Sequence, residues 1–569
     1  MRITTQVSGS QTNCELDRRL SEARESVARR DRDPDAYIQA AQSCKRAGLL
    51  REALAILGDG IARCTPSQIL YDEFIGHLEM SNKTEEAILA AREAARHFPE
   101  EIRFRLREAL LLPILYDTPE QVLHYRERLA EGLRRFCAEA RLDTTSERLR
   151  ALEAIRKNHI KFMGYQGRND IELRKEYGDW VYRVVSANFP QFTERLPMPP
   201  IPADGALRIG YLSSHYTDSV AMRAFLGWLR EHDRRHVYLF AYHAGEHRDA
   251  TTEQVERMSR GFRQLSKSIE ESAATIMRDG LHVLVFLDLG VRPSVTPLAA
   301  LRLAPIQCMA WDQPVTSGLP TIDYFLSGEL MEPVDAQDHY SERLVLLPAT
   351  GLCYRKPVVP SQILVKRRAD FQLREDAVVY LCCQAIRKYL PGQDALFAQI
   401  ASRVPNSQFV FLEPSEFIRA ELELRLGRAF AARRLVASEH CVLLPGQTLL
   451  DYWNLNLLAD VFLDTIGWSG GVSTFDAVAC RLPVVTLPGG LMRGRQSYAI
   501  LTQMGVTETI ASSTSEYVEL AVRLGVDGQW KASVIDRMAR GHSKLFSDSR
   551  CVRALEAFYR MAVEEQTRA

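Results

Sequence analysis

From Leu207 onward, short apolar runs alternate with stretches whose apolar residues fall at helical spacing. The runs lie at 207–212, 237–241, 281–287 and 305–310, with helix-spaced residues at 220–229 and 269–276 between them. A series of such units builds a parallel sheet covered by helices on both faces. The alternation begins again at Ala377, with runs at 378–383, 409–412, 442–444, 461–463 and 484–487. Residues 343–374, which include Pro348, Pro357 and Pro360, separate the two sets and read as a linker. The chain is therefore expected to hold two Rossmann-like α/β domains, at 205–365 and 372–545. They would face each other across a cleft with ligands at the C-terminal ends of the strands.

The residues before this region have another period. Tyr37 and Tyr71 stand 34 apart, as do Glu52 and Glu86, and Ala53 and Ala87, with Glu120 continuing the glutamate series. Paired amphipathic helices repeating every 34 residues carry the tetratricopeptide signature, in which no single pair buries its apolar stripe alone. A third unit is interrupted by Pro113, and 119–140 and 146–162 read as helices out of repeat register that dock the array onto the rest of the chain. An all-α module is thus expected over 34–200, after a polar leader at 1–33. Its concave face would either hold a peptide or serve as structure alone. Prolines at 190, 197, 199, 200 and 202 form an extended connection to the first sheet. The last segment, 546–569, reads as a helix that packs back across one of the domains.

Seventy-two basic residues balance 72 acidic ones, so bulk electrostatic binding of nucleic acid is not expected. No apolar run reaches transmembrane length, and the first thirty residues lack the apolar centre of a signal peptide. The expectation is a soluble cytoplasmic protein. Eleven cysteines without a CxxC pair read as buried thiols.

Chemistry concentrates in DTIGWSGGVSTFDAVACRLPVVTLPGG, 464–490. A strand ends, Gly467, Ser469, Gly470 and Gly471 make a turn, and a helix opens with Ser473, Thr474 and Asp476 in its first turns. Small residues there let backbone N–H groups approach an anion at a helix N-terminus. Asp476 would repel a phosphate placed beside it but accept hydrogen bonds from a ribose diol. A nucleoside diphosphate and an ordinary glycine-rich turn both fit this segment.

Lys388, after the first strand of the second set, can neutralise a departing diphosphate, with Arg387 a competitor for the role. Thr316 and Ser317, in PVTSG, can hold sugar or phosphate or form a simple turn. His215, at the end of the opening strand, can act as a general base, with Asp218 and Ser219 nearby. Asp279 and His282 read equally well as structural residues. Tyr452 or Trp453 can stack on a base or belong to the core. No Walker loop, HExxH, GxSxG or carboxylate cluster occurs, and no cofactor or metal is required by this reading.

Taken together, LRIGYLSS, DGLHVLV, LRLAPIQCMAW with PVTSG, IDYFLS, HYSERLVLLP, IRK with RVPNSQFVFL, LADVFLDT, GGVSTFDAVACRLPVVTLPG and RGRQSYAIL, in this order, resemble glycosyltransferase family 41. This is the O-GlcNAc transferase and SPINDLY-like group. YQGRNDIELRKEYGDWV resembles bacterial members with a similar layout. The resemblance implies a GT-B fold and an inverting enzyme that moves a sugar from a UDP-sugar, commonly UDP-GlcNAc, to Ser or Thr of proteins. It also implies that Lys388 contacts the donor phosphates, Asp476 the ribose, and Ser473 the diphosphate. Gln384 would lie among the nucleotide contacts, Tyr452 near the uracil and Thr316 near the donor.

The chain departs from the family pattern at three places. Ser219 stands where well-known members carry a histidine, with His215 four residues earlier. Gly471 and Val472 replace the His and Thr before the matching hydroxyl residue, and Gln313 precedes the PVTSG proline. Three alternatives remain beside the protein O-GlcNAc transferase reading. One is an N-glycosyltransferase that uses UDP-Glc on Asn. Another is a transferase acting on a small molecule or surface glycan, with the repeat array merely structural, and the third a tetratricopeptide scaffold that binds nucleotide without turnover.

Overall fold

The computed structural model describes residues 18, 21, 22, 25, 27–359, 365–413 and 415–568. Most of the expected leader, and Pro360, lie outside them.

The first helices run Pro34–Arg46, Leu50–Arg63, Gln68–Met80, Thr84–His97, Ile102–Leu110 and Pro119–Glu139. Pro34, Gln68 and Ile102 open successive pairs 34 residues apart, the spacing shown by Tyr37 and Tyr71. Each start has its local cause. Asp33 caps a helix with Pro at its first position, Ser67 and Thr118 cap with their hydroxyls, and Pro119 again opens a helix. The helix at Pro119 stands 35 residues after Thr84, so it continues the repeat rather than leaving it. Only its partner is shortened, ending at Leu110 ahead of Pro113. Thr145–Lys157 opens on a Thr144–Glu147 capping box and stops short of the expected 162. Ile171–Asn188 then docks the module.

Seven strands form the first sheet: β1 Leu207–Ser213, β2 Val237–His243, β3 Gly261–Gln264, β4 Val283–Phe286, β5 Ile306–Met309, β6 Tyr324–Gly328 and β7 Arg343–Leu347. All pair in parallel, in the order β3-β2-β1-β4-β5-β6-β7. The second sheet holds β8 Val378–Cys382, β9 Ser407–Leu412, β10 Cys441–Leu444, β11 Val461–Leu463 and β12 Val484–Val485, parallel in the order β10-β9-β8-β11-β12. This is the two-domain GT-B arrangement expected from the sequence. β7 occupies the opening of the segment read as linker, so the connection starts at Pro348.

Two consequences bear on the site. In each sheet the chain reverses direction of growth at one place, between β1 and β4 and between β8 and β11, and a crevice opens at the strand ends there. The final helix, Arg550–Arg568, returns to the first domain. Tyr559 Oη lies 3.0 Å from Tyr211 Oη, and Glu556 accepts from His232 Nδ1 at 3.0 Å and Asp233 N at 2.8 Å. One apolar core runs from Tyr71 through both sheets to Val563. The first helix pair has a smaller core around Tyr37, Ala53 and Leu57, which it shares with Leu70 of the next helix.

Candidate active site

Lys388 follows β8 and the glycine-rich turn follows β11, so the two meet at the switch point of the second sheet. Asp464, buried at the end of β11, organises the turn. Its Oδ1 accepts from Gly470 N at 2.6 Å and Gln384 Nε2 at 3.1 Å, and its Oδ2 from Thr486 Oγ1 at 2.7 Å. Burial pushes the Asp464 carboxyl up to about 6 against these hydrogen bonds. Gly467 takes the left-handed conformation at φ +92°, which turns the chain back toward β8. Lys388 Nζ donates to Ser469 O at 2.9 Å, and burial draws its ammonium down to about 8.

The turn ends in the helix Val472–Ala479. Thr474 N and Phe475 N donate to Gly471 O, whereas the N–H groups of Gly471, Val472 and Ser473 have no acceptor among the described residues. Ser473 Oγ is likewise unengaged among them and half-buried. A cation and three free N–H groups at a helix N-terminus form an anion site. Arg387, Arg493 and Arg495 add positive charge, each with a buried Nε that has no partner among the described residues.

One turn on, Asp476 is 2% exposed. Its Oδ1 accepts from Trp453 Nε1 at 3.3 Å and from Arg223 Nη2 at 2.5 Å. Burial raises the Asp476 carboxyl and Arg223 opposes the rise. Arg223 belongs to the helix Val220–Glu231 of the first domain, so this ion pair spans the cleft. Tyr354 of the linker stacks on Phe475 beside it, with ring centroids 4.1 Å apart.

His215 follows β1 and Asp288 follows β4, at the switch point of the first sheet. His215 Nδ1 lies 2.9 Å from Asp288 Oδ2, the same oxygen that accepts from Ser214 N at 2.8 Å and Ser214 Oγ at 2.6 Å. Arg292 Nε donates to His215 Nε2 at 3.0 Å. This network assigns the imidazole proton to Nδ1 and the lone pair to Nε2. Asp312, after β5, is coupled to the pair, and burial followed by the Asp288 charge pushes it up to about 7. Ser219, at the place of the family histidine, caps the helix that carries Arg223, accepting from Met222 N at 3.2 Å.

Several expected ligands are engaged elsewhere. Gln384 is buried, donating to Asp464 and accepting from Tyr389 Oη at 2.7 Å, so its amide braces the turn. The N–H of Gly470 is held by Asp464. Thr474 Oγ1 is fully buried against Ser497 Oγ at 2.8 Å. Thr316 donates to Glu342 Oε2 at 2.6 Å, and Ser317 bonds Glu342 through both N and Oγ. Gly318, at φ +72°, packs against the Arg174 carbonyl of the docking helix. The PVTSG segment is a junction with the helical module. Tyr452 Oη lies 3.1 Å from Cys383 Sγ, its ring half-buried beside Trp453.

Residues 189–354 and 353–555 match Glycosyl transferase family 41. The chain belongs to glycosyltransferase family 41. It is 26% identical over 405 residues to an Arabidopsis thaliana protein described as probable UDP-N-acetylglucosamine–peptide N-acetylglucosaminyltransferase SEC, covering 68% of this chain and 40% of that one. The SPINDLY protein of Oryza sativa subsp. japonica, described as the same probable transferase, is 27% identical over 405 residues, covering 69% and 42%. The chain thus spans about two fifths of the length of these curated relatives. A variant of the Thermobaculum terrenum O-GlcNAc transferase has the same fold, with a TM-score of 0.69 at 20% identity over 100% of this chain and 99% of that one.

Within this family 41 chain, the helical module also reaches the glycine-rich turn. Tyr165 stacks on Trp468 with centroids 3.8 Å apart and planes at 9°, and Arg387 lies 5.2 Å from the Tyr165 ring. Asp170, fully buried, pairs with Arg126 at 2.8 Å and Arg493 at 3.0 Å. Asp288 carried a readable signal, an acid directly after an apolar run. Arg223, Tyr165 and Asp170 carried none, because each acts on a partner hundreds of residues away.

Proposed function

We propose that the chain is an inverting glycosyltransferase that moves a sugar, GlcNAc in the first instance, from a UDP-sugar to Ser or Thr hydroxyls of proteins. The observation that carries this reading is the set of Lys388 Nζ, the free N–H groups of Gly471 to Ser473 and Asp476 around one turn. Together they offer a cation and donors to a diphosphate and a carboxylate to a ribose. The acceptor oxygen attacks the anomeric carbon as the bond from that carbon to the UDP oxygen breaks. Lys388 and the helix N-terminus receive the charge that develops on UDP. The acceptor proton passes to His215 Nε2, oriented by Asp288, or to a phosphate oxygen of the donor.

The test is calorimetric titration with UDP, UDP-GlcNAc and UDP-Glc, in the wild type and in Asp476→Ala. The expected result is UDP binding that weakens roughly tenfold or more in the variant, with UDP-GlcNAc preferred over UDP-Glc. Absence of UDP binding at millimolar concentration would sink the reading. One observation favours a second reading, a scaffold that binds nucleotide without turnover: Arg292 occupies His215 Nε2, the atom that would take the proton. UDP binding with no release of UDP from any UDP-sugar, in the presence of a peptide library rich in Ser and Thr, would select it.

A further inference from the structure

The carboxylate of Asp476 is used unevenly. Arg223 and Trp453 both donate to Oδ1, while Oδ2 accepts nothing among the described residues and still reaches solvent. The Arg223 guanidinium comes from the opposite domain and is itself largely buried, at 22% side-chain exposure. A guanidinium and an indole N–H held on one carboxylate oxygen restrain the carboxylate and leave the second oxygen free to accept a further donor. That free oxygen belongs to the residue read above as the ribose ligand.

We propose that Arg223 is a positioning residue for the nucleotide: it holds Asp476 ionised and oriented from across the cleft, so that the ribose site is complete only when the two sheets are closed on each other. This rests on the assignment of Asp476 to the ribose.

The charged and titratable groups around Asp476 make the idea readable by pH. The first domain supplies Arg223, with Asp218 acting on it, and the linker supplies Tyr354. Cys383 follows β8, Tyr452 lies on the helix Leu449–Leu458, and Cys480 ends the helix of Asp476 itself. Burial pushes both thiols up to about 12 and raises both phenols, so these four stay neutral between pH 5 and 8. Without Arg223, only the Trp453 hydrogen bond opposes burial at Asp476, its carboxyl rises further, and ribose binding fades at a higher pH than in the wild type.

The experiment is UDP titration from pH 8 to pH 5 in the wild type, Arg223→Gln, Arg223→Lys, Asp476→Asn and the Arg223→Gln/Asp476→Asn double variant. Arg223→Gln should weaken UDP on the order of tenfold at pH 7.5 and move the acid fall-off upward. Arg223→Lys should recover most of the affinity, and in the Asp476→Asn background Arg223→Gln should add nothing. Wild-type affinity in Arg223→Gln, or a loss that is flat with pH and persists in the Asp476→Asn background, overturns the proposal while leaving the donor site standing. If the wild type binds UDP and Asp476→Asn binds it equally well, the ribose assignment fails first and this proposal with it.

Discussion

At the scale of the residue, Lys388 is poised near neutrality. An ammonium whose pKa is lowered on folding, here from 10.5 to about 8, releases its proton more readily in the native chain than in the unfolded one. Its charge at the diphosphate is therefore complete below pH 8 and is lost above it. The same shift sets a stability slope. Burying the ammonium costs most below pH 8, and that cost fades as the pH rises toward 10.5, so this group makes the fold more stable with rising pH in that window. Turnover should accordingly show an alkaline limb near pH 8 in kcat/KM. Lys388→Arg should carry the limb out of range, and Lys388→Ala should lower kcat roughly 10²-fold at every pH. Rate profiles of the three proteins between pH 6 and 10 check this. The limb unmoved in Lys388→Arg would assign it to another group.

At the scale of the element, a glycine decides how the helical module meets the first sheet. Gly318 has a left-handed φ and sits where any Cβ would fall on the carbonyl of Arg174. Gly178 in the docking helix approaches Gly318 O equally closely from the other side. Gly318→Ala should destabilise the protein by about 3 kcal/mol, from strain and overpacking together. Urea unfolding measures it, and a midpoint equal to wild type would mean that the junction yields.

This contact also explains where the sequence misleads. Two hydroxyls and a glycine after a cleft-facing strand look like ligand donors, but Glu342 takes the hydroxyls and the docking helix needs the glycine. The central strands were plain in the sequence because both of their faces are buried and they read as unbroken apolar runs. Three others escaped: β6 is buried between β5 and β7 but follows β5 with no helix between them to mark the alternation, and the remaining two lie at the edges. β3 is short and polar at the edge of the first sheet, and β7 at the other edge leaves Arg343 and Leu346 exposed. Around the glycine-rich turn, Ser473 and Asp476 could be read together because one short stretch of chain, 464–490, supplies both, while Lys388 enters from the end of β8. The bracing of that turn by Tyr165, and the cross-cleft reach of Arg223, arise only when distant elements dock.

At the scale of the whole molecule, the glycine-rich turn and its helix are held from three sides: by their own sheet, by Arg223 of the first domain, and by Tyr165 and Asp170 of the helical module. Removal of residues 1–200 should therefore abolish UDP binding and expose Trp468. Removal of residues 1–66 takes away the first helix pair, most of the small core that it shares with Leu70, and the Arg51–Glu416 ion pair, and should leave UDP affinity within about twofold of wild type, since none of these touches the turn and distant sites act independently. Titration of both truncated chains checks the contrast. Loss of binding in the shorter deletion would show that the first pair supports the site after all.

The continuity of the main core bears on how such a protein can be recombined. An engineer who wished to give this chain a different recognition array would be drawn to the proline-rich stretch at 197–202, where domains are ordinarily cut and spliced. A splice there would remove Tyr165 and Asp170 along with the helices, and the two-sheet half would lose part of the bracing of its own glycine-rich turn. The seam that spares the turn lies at 64–67, between the first helix pair and the second, where only Leu70 of the small core is left to be covered anew. New repeats added ahead of Ser67 would meet a helix pair already fixed to the enzyme. The interchangeable part of this protein is its outermost pair alone.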